Sequence, residues 1–400
     1  MKTKLCLLAV VFTGLQINFA ADSDLSKLAA ANNDFAFKLL AQLAGENKAG
    51  NIFISPYSAA TALQMAANGA GGQTKTEMQQ ALETAGLTPE ALNAASKAAA
   101  KLLDSRSSDL ILTTANALWY RQDSRIKPDF LKANQKFFSS SVKGLDFGNA
   151  PAAEAEINQW ASDQTHGRIK GIADGMITPY TDLILANAIY FKGKWEDPFK
   201  KSRTQPRTFH PATGPETKIP MMQMSKDFTY RKGSDYQAVR LPYVGGDLAM
   251  YVFLPDPGSS PAKLLQVMNG DTWRRETVPG FSDKDGFLVL PRFKLENTYV
   301  LNDTLKALGM KMAFDRGQAD FSGMFDDRHY ISDVVQKTFV EVKEEGTEAA
   351  AVTTVMMTSA SMRPIDPPKP FEMIVDRPFL FTIVDARSEM VLFMGVVNEL

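Results

Sequence analysis

Apolar residues recur at helical spacing from Leu25 to Leu43, where Leu28, Phe35, Leu39, Leu40 and Leu43 share a face, so a helix is predicted there. A second helix, Ala59 to Asn68, follows Asn51-Ile-Phe-Ile-Ser-Pro-Tyr-Ser58, where Ser55 or Ser58 is placed to cap its first turn. Thr88 to Leu103 is rich in Ala and predicts a strong helix. Pro128 to Ser139 and Ala152 to Ser162 are also read as helices. Leu, Ile, Thr and aromatic residues mark Asp109 to Tyr120 as a strand, and Val142 to Phe147 is extended. Leu183 to Phe191, apolar at every position but Asn187, and Val391 to Val397 are apolar runs that predict fully buried strands. After Pro206 the pattern is strands and turns, through Phe209, Val239 to Tyr243, Leu248 to Leu254 and Phe287 to Phe293, with one helix from Leu301 to Leu308. No internal repeat and no linker interrupts the chain, which predicts one domain after the first 21 residues.

One stretch breaks the rule that loops are rich in Gly, Pro, Asn and Asp. Glu341 to Glu345 reads as the end of a strand, and Gly346 punctuates it. From Thr347 to Met362 there is no Pro or Gly, and Glu348 is the only charge; then Pro364, Pro367, Pro368 and Pro370 arrive together. Alternate side chains of a strand share a face. Thr347, Ala349, Ala351, Thr353, Val355, Met357 and Ser359 form one such row, small at first and apolar by its middle. On its own the segment fits an ordinary buried strand or a short Ala-rich helix.

Composition narrows the chemistry. The 400 residues are 44% hydrophobic and 22% charged, with formal net charge −1, which is globular and gives no reason to expect a nucleic-acid partner. Met1 to Ala21 reads as a secretory signal: Lys2 and Lys4, an apolar run from Leu5 to Val11, and Ala20 and Ala21 before Asp22. The run is too short to span a membrane comfortably, and no later stretch is long and apolar enough to do so. Cys6 is the only cysteine and lies in this segment, so the mature chain is expected to use neither disulfides nor thiolate chemistry. His166, His210 and His329 stand apart with no second His or Cys at ligand spacing, so no metal and no cofactor is expected. Neither a G-x-S-x-G elbow nor a phosphate-binding P-loop is present. A Ser-His-Asp triad assembled in space is left open by sequence alone.

Several motifs together carry a family resemblance. NIFISPYSAATALQMAANGAGGQT, NAIYFKGKWEDPF, VRLPYVGGDLAMYVFLPD, LPRFKLENTYVLNDTLKALGM, the stretch EEGTEAAAVTT and the near-terminal MIVDRPFLFTI resemble serpins over nearly the whole chain after the signal. The resemblance implies an α+β serpin fold with three β-sheets, about eight to nine helices and an exposed reactive-centre loop at about residues 346–370. It implies an exported, bacterial-type, non-enzymatic inhibitor, periplasmic or extracellular, monomeric but at risk of loop–sheet polymerisation. Its partner would be a serine protease, bound covalently.

By the same resemblance Glu344, Glu345, Gly346, Thr347, Glu348, Ala349, Ala350 and Ala351 form the hinge of the loop. Ser55, Ser58, Asn187 and Gln336 would sit at the opening point of the main sheet, with Trp195 at the top where the loop enters. For Trp195 a plain core role is equally open, and for Ser55 and Ser58 capping is compatible. Many serpins have histidine where this chain has Gln336, which both donates and accepts hydrogen bonds. Family spacing puts the reactive bond at Ala360–Ser361, with Met357, Met362 and Arg363 as other candidates; Pro364 makes the Arg363 bond a poor one. The family's mechanism is insertion of the cleaved loop into the sheet as a strand. The small or β-branched row of Thr347, Ala349, Ala351 and Thr353 suits that; a proline or charge there would point to a non-inhibitory carrier, the main rival. An exported hydrolase is a third class. Lys97, Lys101 and Arg106, with Glu90 and Asp104 nearby, read as a solvated face, so no strong polysaccharide site is expected. Asn302-Asp-Thr304 matches a glycosylation pattern.

Overall fold

The computed structural model describes residues 12–47, 49–104, 109–347 and 369–400, with side chains from residue 23. Chain order begins α1 (Phe12–Glu46), β1 (Ile52–Ile54), α2 (Pro56–Ala67), α3 (Gly72–Ala81), α4 (Pro89–Leu103), β2 (Leu110–Arg121), α5 (Pro128–Phe138), β3 (Ser141–Leu145) and α6 (Ala150–Gln164). It continues β4 (Leu183–Lys194), β5 (Gln205–Phe209), β6 (Thr217–Lys232), β7 (Tyr236–Pro242), β8 (Leu248–Pro255), α7 (Pro261–Val267), α8 (Gly270–Thr272), β9 (Ser282–Pro291) and β10 (Phe293–Val300). It closes with α9 (Asn302–Ala307), β11 (Ile331–Lys343), β12 (Gly346–Thr347), β13 (Phe371–Ile374), β14 (Phe379–Asp385) and β15 (Met390–Val397).

Helix starts follow local chemistry. Ser55, Thr88, Asn149 and Ser260 each accept from an amide of the first turn, and proline sits at N1 or N2 of the helices they open. The first helix starts upstream of the predicted Leu25, at Phe12. Asn302 is the first residue of α9 rather than its cap, and its amide donates to the Ser332 carbonyl at 2.7 Å and to Asp333 at 3.2 Å. A side chain engaged in this way is a poor glycan acceptor.

Six strands form one sheet in the order β10-β11-β12-β4-β2-β3, with β4 and β11 also paired directly. The other strands follow β1-β15-β14-β8-β7-β6-β9-β13, with β5 on β6. Two of the three expected sheets are thereby joined, because the 16-residue β6 serves both. Its length pairs with β5 and β9, and Thr229 to Lys232 also pair with β7. Apolar faces of the two networks meet in a core that includes Phe53, Phe191, Tyr243 and Phe393.

The feature that positions the site is the seam between β4 and β11. These strands run parallel from Leu183 opposite Ile331 to Tyr190 opposite Phe339. Above that level they part, and β12 lies between them.

Candidate functional site

At the top of the seam, β11 ends at Lys343, Glu344 and Glu345 make a two-residue turn, and the chain returns as β12. Gly346 and Thr347 face Lys343 and Val342 on one side and Lys194 and Gly193 on the other. Sequence reading brings Thr347 into the sheet only after the loop is cut; here Gly346 and Thr347 of the hinge already form a strand in the uncut chain. Gly346 has φ +147°, and a Cβ there would strike the Gly193 carbonyl and Lys194 Cα, so a side chain is excluded twice. Thr347 is fully buried, with its hydroxyl 2.9 Å from the Tyr243 phenol. Burial pushes that phenol's pKa up, and the Thr347 hydrogen bond offsets it in part.

Trp195 takes part in this closure. Its ring stacks on Tyr243 at 4.6 Å, and its Nε1 donates to the Lys343 carbonyl at 2.9 Å. Its backbone amide donates to the Glu345 carbonyl at 3.0 Å, and the Phe199 amide to the Glu344 carbonyl at 2.9 Å. The Glu344 side chain is 1% exposed and accepts from Arg292 Nε at 2.9 Å, and from the Thr204 hydroxyl. Burial alone would raise the Glu344 pKa, but Arg292, Thr204 and its own backbone amide outweigh it and hold the carboxyl below the ordinary glutamate range. Glu345 pairs with Lys201 at 2.5 Å. Glu348, Ala349, Ala350, Ala351, Ala360 and Ser361 lie outside the described residues, as do Met357, Met362 and Arg363.

Halfway down, buried amides and hydroxyls tie the seam to the helix beneath it. Gln336 is fully buried; its Oε1 accepts from Ser55 N at 2.9 Å and its Nε2 donates to Ser55 O at 2.9 Å. The same Nε2 donates across the seam to Asn187 Oδ1 at 2.8 Å. Asn187 Nδ2 donates to the Ser58 hydroxyl and, at 2.6 Å, to Asn116 Oδ1. Ser55 Oγ donates to the Leu392 carbonyl at 2.7 Å and accepts from Ser58 N at 3.3 Å, so Ser55 is both cap and cluster member. The four predicted residues are therefore brought together, and Asn116 is a fifth that sequence reading missed. Its signal was an Asn between Ala115 and Ala117, inside a strand that pairs Asn116 with Asn187. Replacing Gln336 with Leu strands the Ser55 amide and the Asn187 amide oxygen, and each orphaned buried group costs about 1–3 kcal/mol. Gln336→Leu is expected to lower the urea midpoint with an unchanged slope; an unchanged midpoint would mean that the network contributes nothing.

The histidines belong to other settings. His210 pairs with Glu216 at 2.9 Å on the surface. His166 has φ +52° and meets the Tyr190 ring edge-on at 5.6 Å. His329 is buried, with both ring nitrogens at carboxylates rather than at a serine hydroxyl.

A long seam with a hinge wedged in its upper end is matched by known proteins. The family model for serpins, serine protease inhibitors, matches residues 30–400. The chain is a serpin. It is 38% identical over 371 residues to an uncharacterized serpin-like protein of Thermococcus kodakarensis, covering 91% of this chain and 84% of that one. It is 35% identical to the leukocyte elastase inhibitor of Homo sapiens, over 93% of this serpin and 99% of the relative. Among solved structures, the native state of the thermophilic serpin tengpin superposes with TM-score 0.85 at 29% identity, covering 94% of each chain. This serpin therefore has the serpin fold that its motifs implied.

Proposed function

We propose that this serpin is a suicide-substrate inhibitor of serine proteases. A target serine attacks a loop peptide bond to form an acyl-enzyme, the cut loop continues as a strand from Thr347 into the β4–β11 seam, and the tethered protease is distorted before it can deacylate. The observation that carries this reading is β12: two hinge residues are already paired on both sides, so the next residue has a register waiting for it. Each further pair of inserted residues gains hydrogen bonds on both sides and gives up the direct β4–β11 bonds at that level, so one side's worth, at roughly 0.5–1.5 kcal/mol per bond, adds to the drive. The small residues Ala349 and Ala351 on the Thr347 row pose no barrier of size or charge.

We further propose cleavage at Ala360–Ser361 by an elastase-like or subtilisin-like protease, whose small specificity pocket accepts alanine. The name of the leukocyte elastase inhibitor points the same way. The chain is proposed to be exported with loss of Met1 to Ala21 and to act as a monomer in the periplasm or outside the cell.

Incubation with a panel of serine proteases tests the reading. An inhibitor gives a complex with at least one of them that survives hot detergent, and mass spectrometry finds a released fragment beginning at Ser361. A carrier or plain substrate gives cleavage without a complex. A cut after Arg363 would overturn the assignment of the bond while leaving the mechanism intact.

A further inference from the structure

The lower end of the seam carries a fastening that neither the family match nor the site above assigns. Asp182 immediately precedes β4, and His329 lies just ahead of β11. Asp182 Oδ1 is 2.7 Å from His329 Nδ1, and its Oδ2 accepts from the Tyr330 amide at 2.9 Å. The Asp182 amide donates to the Ser332 hydroxyl at 2.9 Å, and the Tyr330 hydroxyl donates to the Tyr180 carbonyl at 3.0 Å. All four contacts cross from the segment leading into β4 to the segment that leads into and begins β11. Asp327 Oδ1 holds the second imidazole nitrogen at 3.1 Å, and the Phe325 ring covers the imidazole at 4.0 Å. Asp182 and His329 are both buried.

The position of this clasp matters because of the β12 register. Thr347 faces Gly193, and each residue further on meets the residue one lower in β4, so residue 357 comes level with Leu183, where the pairing of β4 with β11 ends. Against β11, Thr347 faces Val342, and the same continuation brings residue 360 level with His329. An inserting strand therefore meets Ser332 at residue 357, where it displaces the Asp182 amide–Ser332 contact but leaves the Asp182–His329 pair in place. Reaching residue 360 requires Asp182 and His329 to separate.

Resting on the inhibitory reading above, we propose that the Asp182–His329 clasp positions the lower limit of strand insertion and sets the rate of its last steps. Its strength follows pH. Burial disfavours the imidazolium, but the bonds and charges of Asp182 and Asp327 outweigh it, so the His329 pKa lies above its ordinary value. The charged ring donates to both carboxylates. Loss of the proton turns one of those bonds into a lone pair facing a carboxylate, so the clasp loosens as pH rises through the folded pKa. On the adjoining segments Arg121 is bound to the Pro179 and Thr181 carbonyls and Asp123, and Lys127 to the Ser322 carbonyl and Asp326. Asp182 and Asp327 are the charged groups in contact with the ring.

Two synthetic peptides, with the sequences of residues 348–357 and 348–360, test this on the intact chain through the rise in melting temperature on annealing. The extra residues Thr358, Ser359 and Ala360 carry no titratable side chain, so peptide charge does not distinguish the two. The short peptide is expected to anneal at a similar rate at about pH 6 and about pH 8.5, on either side of the ordinary histidine range. The long peptide is expected to anneal about tenfold more slowly at the lower pH, the factor for one charge-assisted hydrogen bond. In His329→Gln and Asp182→Asn that difference should vanish. If both peptides respond alike, or the difference persists in His329→Gln, the clasp is no stop. If neither anneals, strand insertion itself is wrong and the proposal falls with it. The wild-type comparison decides even if a variant fails to fold.

Discussion

Glu344→Lys is expected to produce the largest loss of native stability of any single hinge substitution, and to drive the protein into loop–sheet polymers on mild warming. The carboxylate is buried, and it holds Arg292 and Thr204 while its carbonyl accepts from Phe199. Glu344 is buried but Arg292 is 38% exposed, so losing the pair costs about 1–3 kcal/mol, and here a second cation would also be pressed toward Arg292. With the turn unfastened, β12 leaves the top of the seam, and the open edges of β4 and β11 can accept a strand from another molecule. Native gels after incubation at raised temperature should show a ladder for the variant and one band for the parent. A monomeric Glu344→Lys with an unshifted urea midpoint would show that the turn is held by something else. The carboxyl also gives the native state an acid limit. Its folded pKa is depressed, so its contribution is present above the ordinary glutamate range and is lost as pH falls through the folded value. Glu344→Gln should remove that part of the acid sensitivity.

Thr347→Arg is expected to abolish inhibition while leaving the protein cleavable. Thr347 is fully buried against Tyr243, with Gly193 on one side and Val342 on the other. A guanidinium in that position has no carboxylate partner, and an unpaired buried charge costs several kcal/mol. The arginine would therefore stay outside and hold the hinge out of the seam at the first step. The stoichiometry of inhibition should rise at least tenfold, about 1.4 kcal/mol in the partition between trapping and release. Thr347→Ser, which keeps the hydroxyl and loses one methyl, should remain close to the parent. An unchanged stoichiometry in Thr347→Arg would remove insertion from the mechanism.

Much of this was legible in the chain itself, for identifiable reasons. Leu183 to Phe191 is apolar at every position but Asn187, which marks both a strand covered on two faces and a polar exception inside it. Ser55 announces a cap through the proline that follows it. The hinge was visible because Thr347 to Met362 lacks the residues that loops normally carry. What escaped reading depends on partners far apart in sequence. Arg292 is an ordinary basic residue until Glu344 is folded against it, and His329 looks solitary because Asp182 lies in another strand's approach. That β12 is already in place was also hidden. Gly346 can pass through a loop or a strand, and the choice is made by contact with Gly193 and Lys194. The shared length of β6, which joins two expected sheets into one network, is likewise set by its pairing partners rather than by its own pattern.

The uncut chain is proposed to lie above its lowest free energy, because a strand inserted beyond Thr347 would pair on two sides where β4 and β11 now share a single set of bonds. The most direct test is calorimetry of the intact protein and of the same protein cut once between residues 358 and 368. Pairing roughly ten residues on both sides while breaking the direct β4–β11 bonds nets on the order of ten hydrogen bonds, which at about 0.5–1.5 kcal/mol each is on the order of 10 kcal/mol and a rise in melting temperature on the order of 10 °C. The account predicts that the cut protein melts higher by about that amount. A cut protein that melts at or below the temperature of the intact one would contradict it.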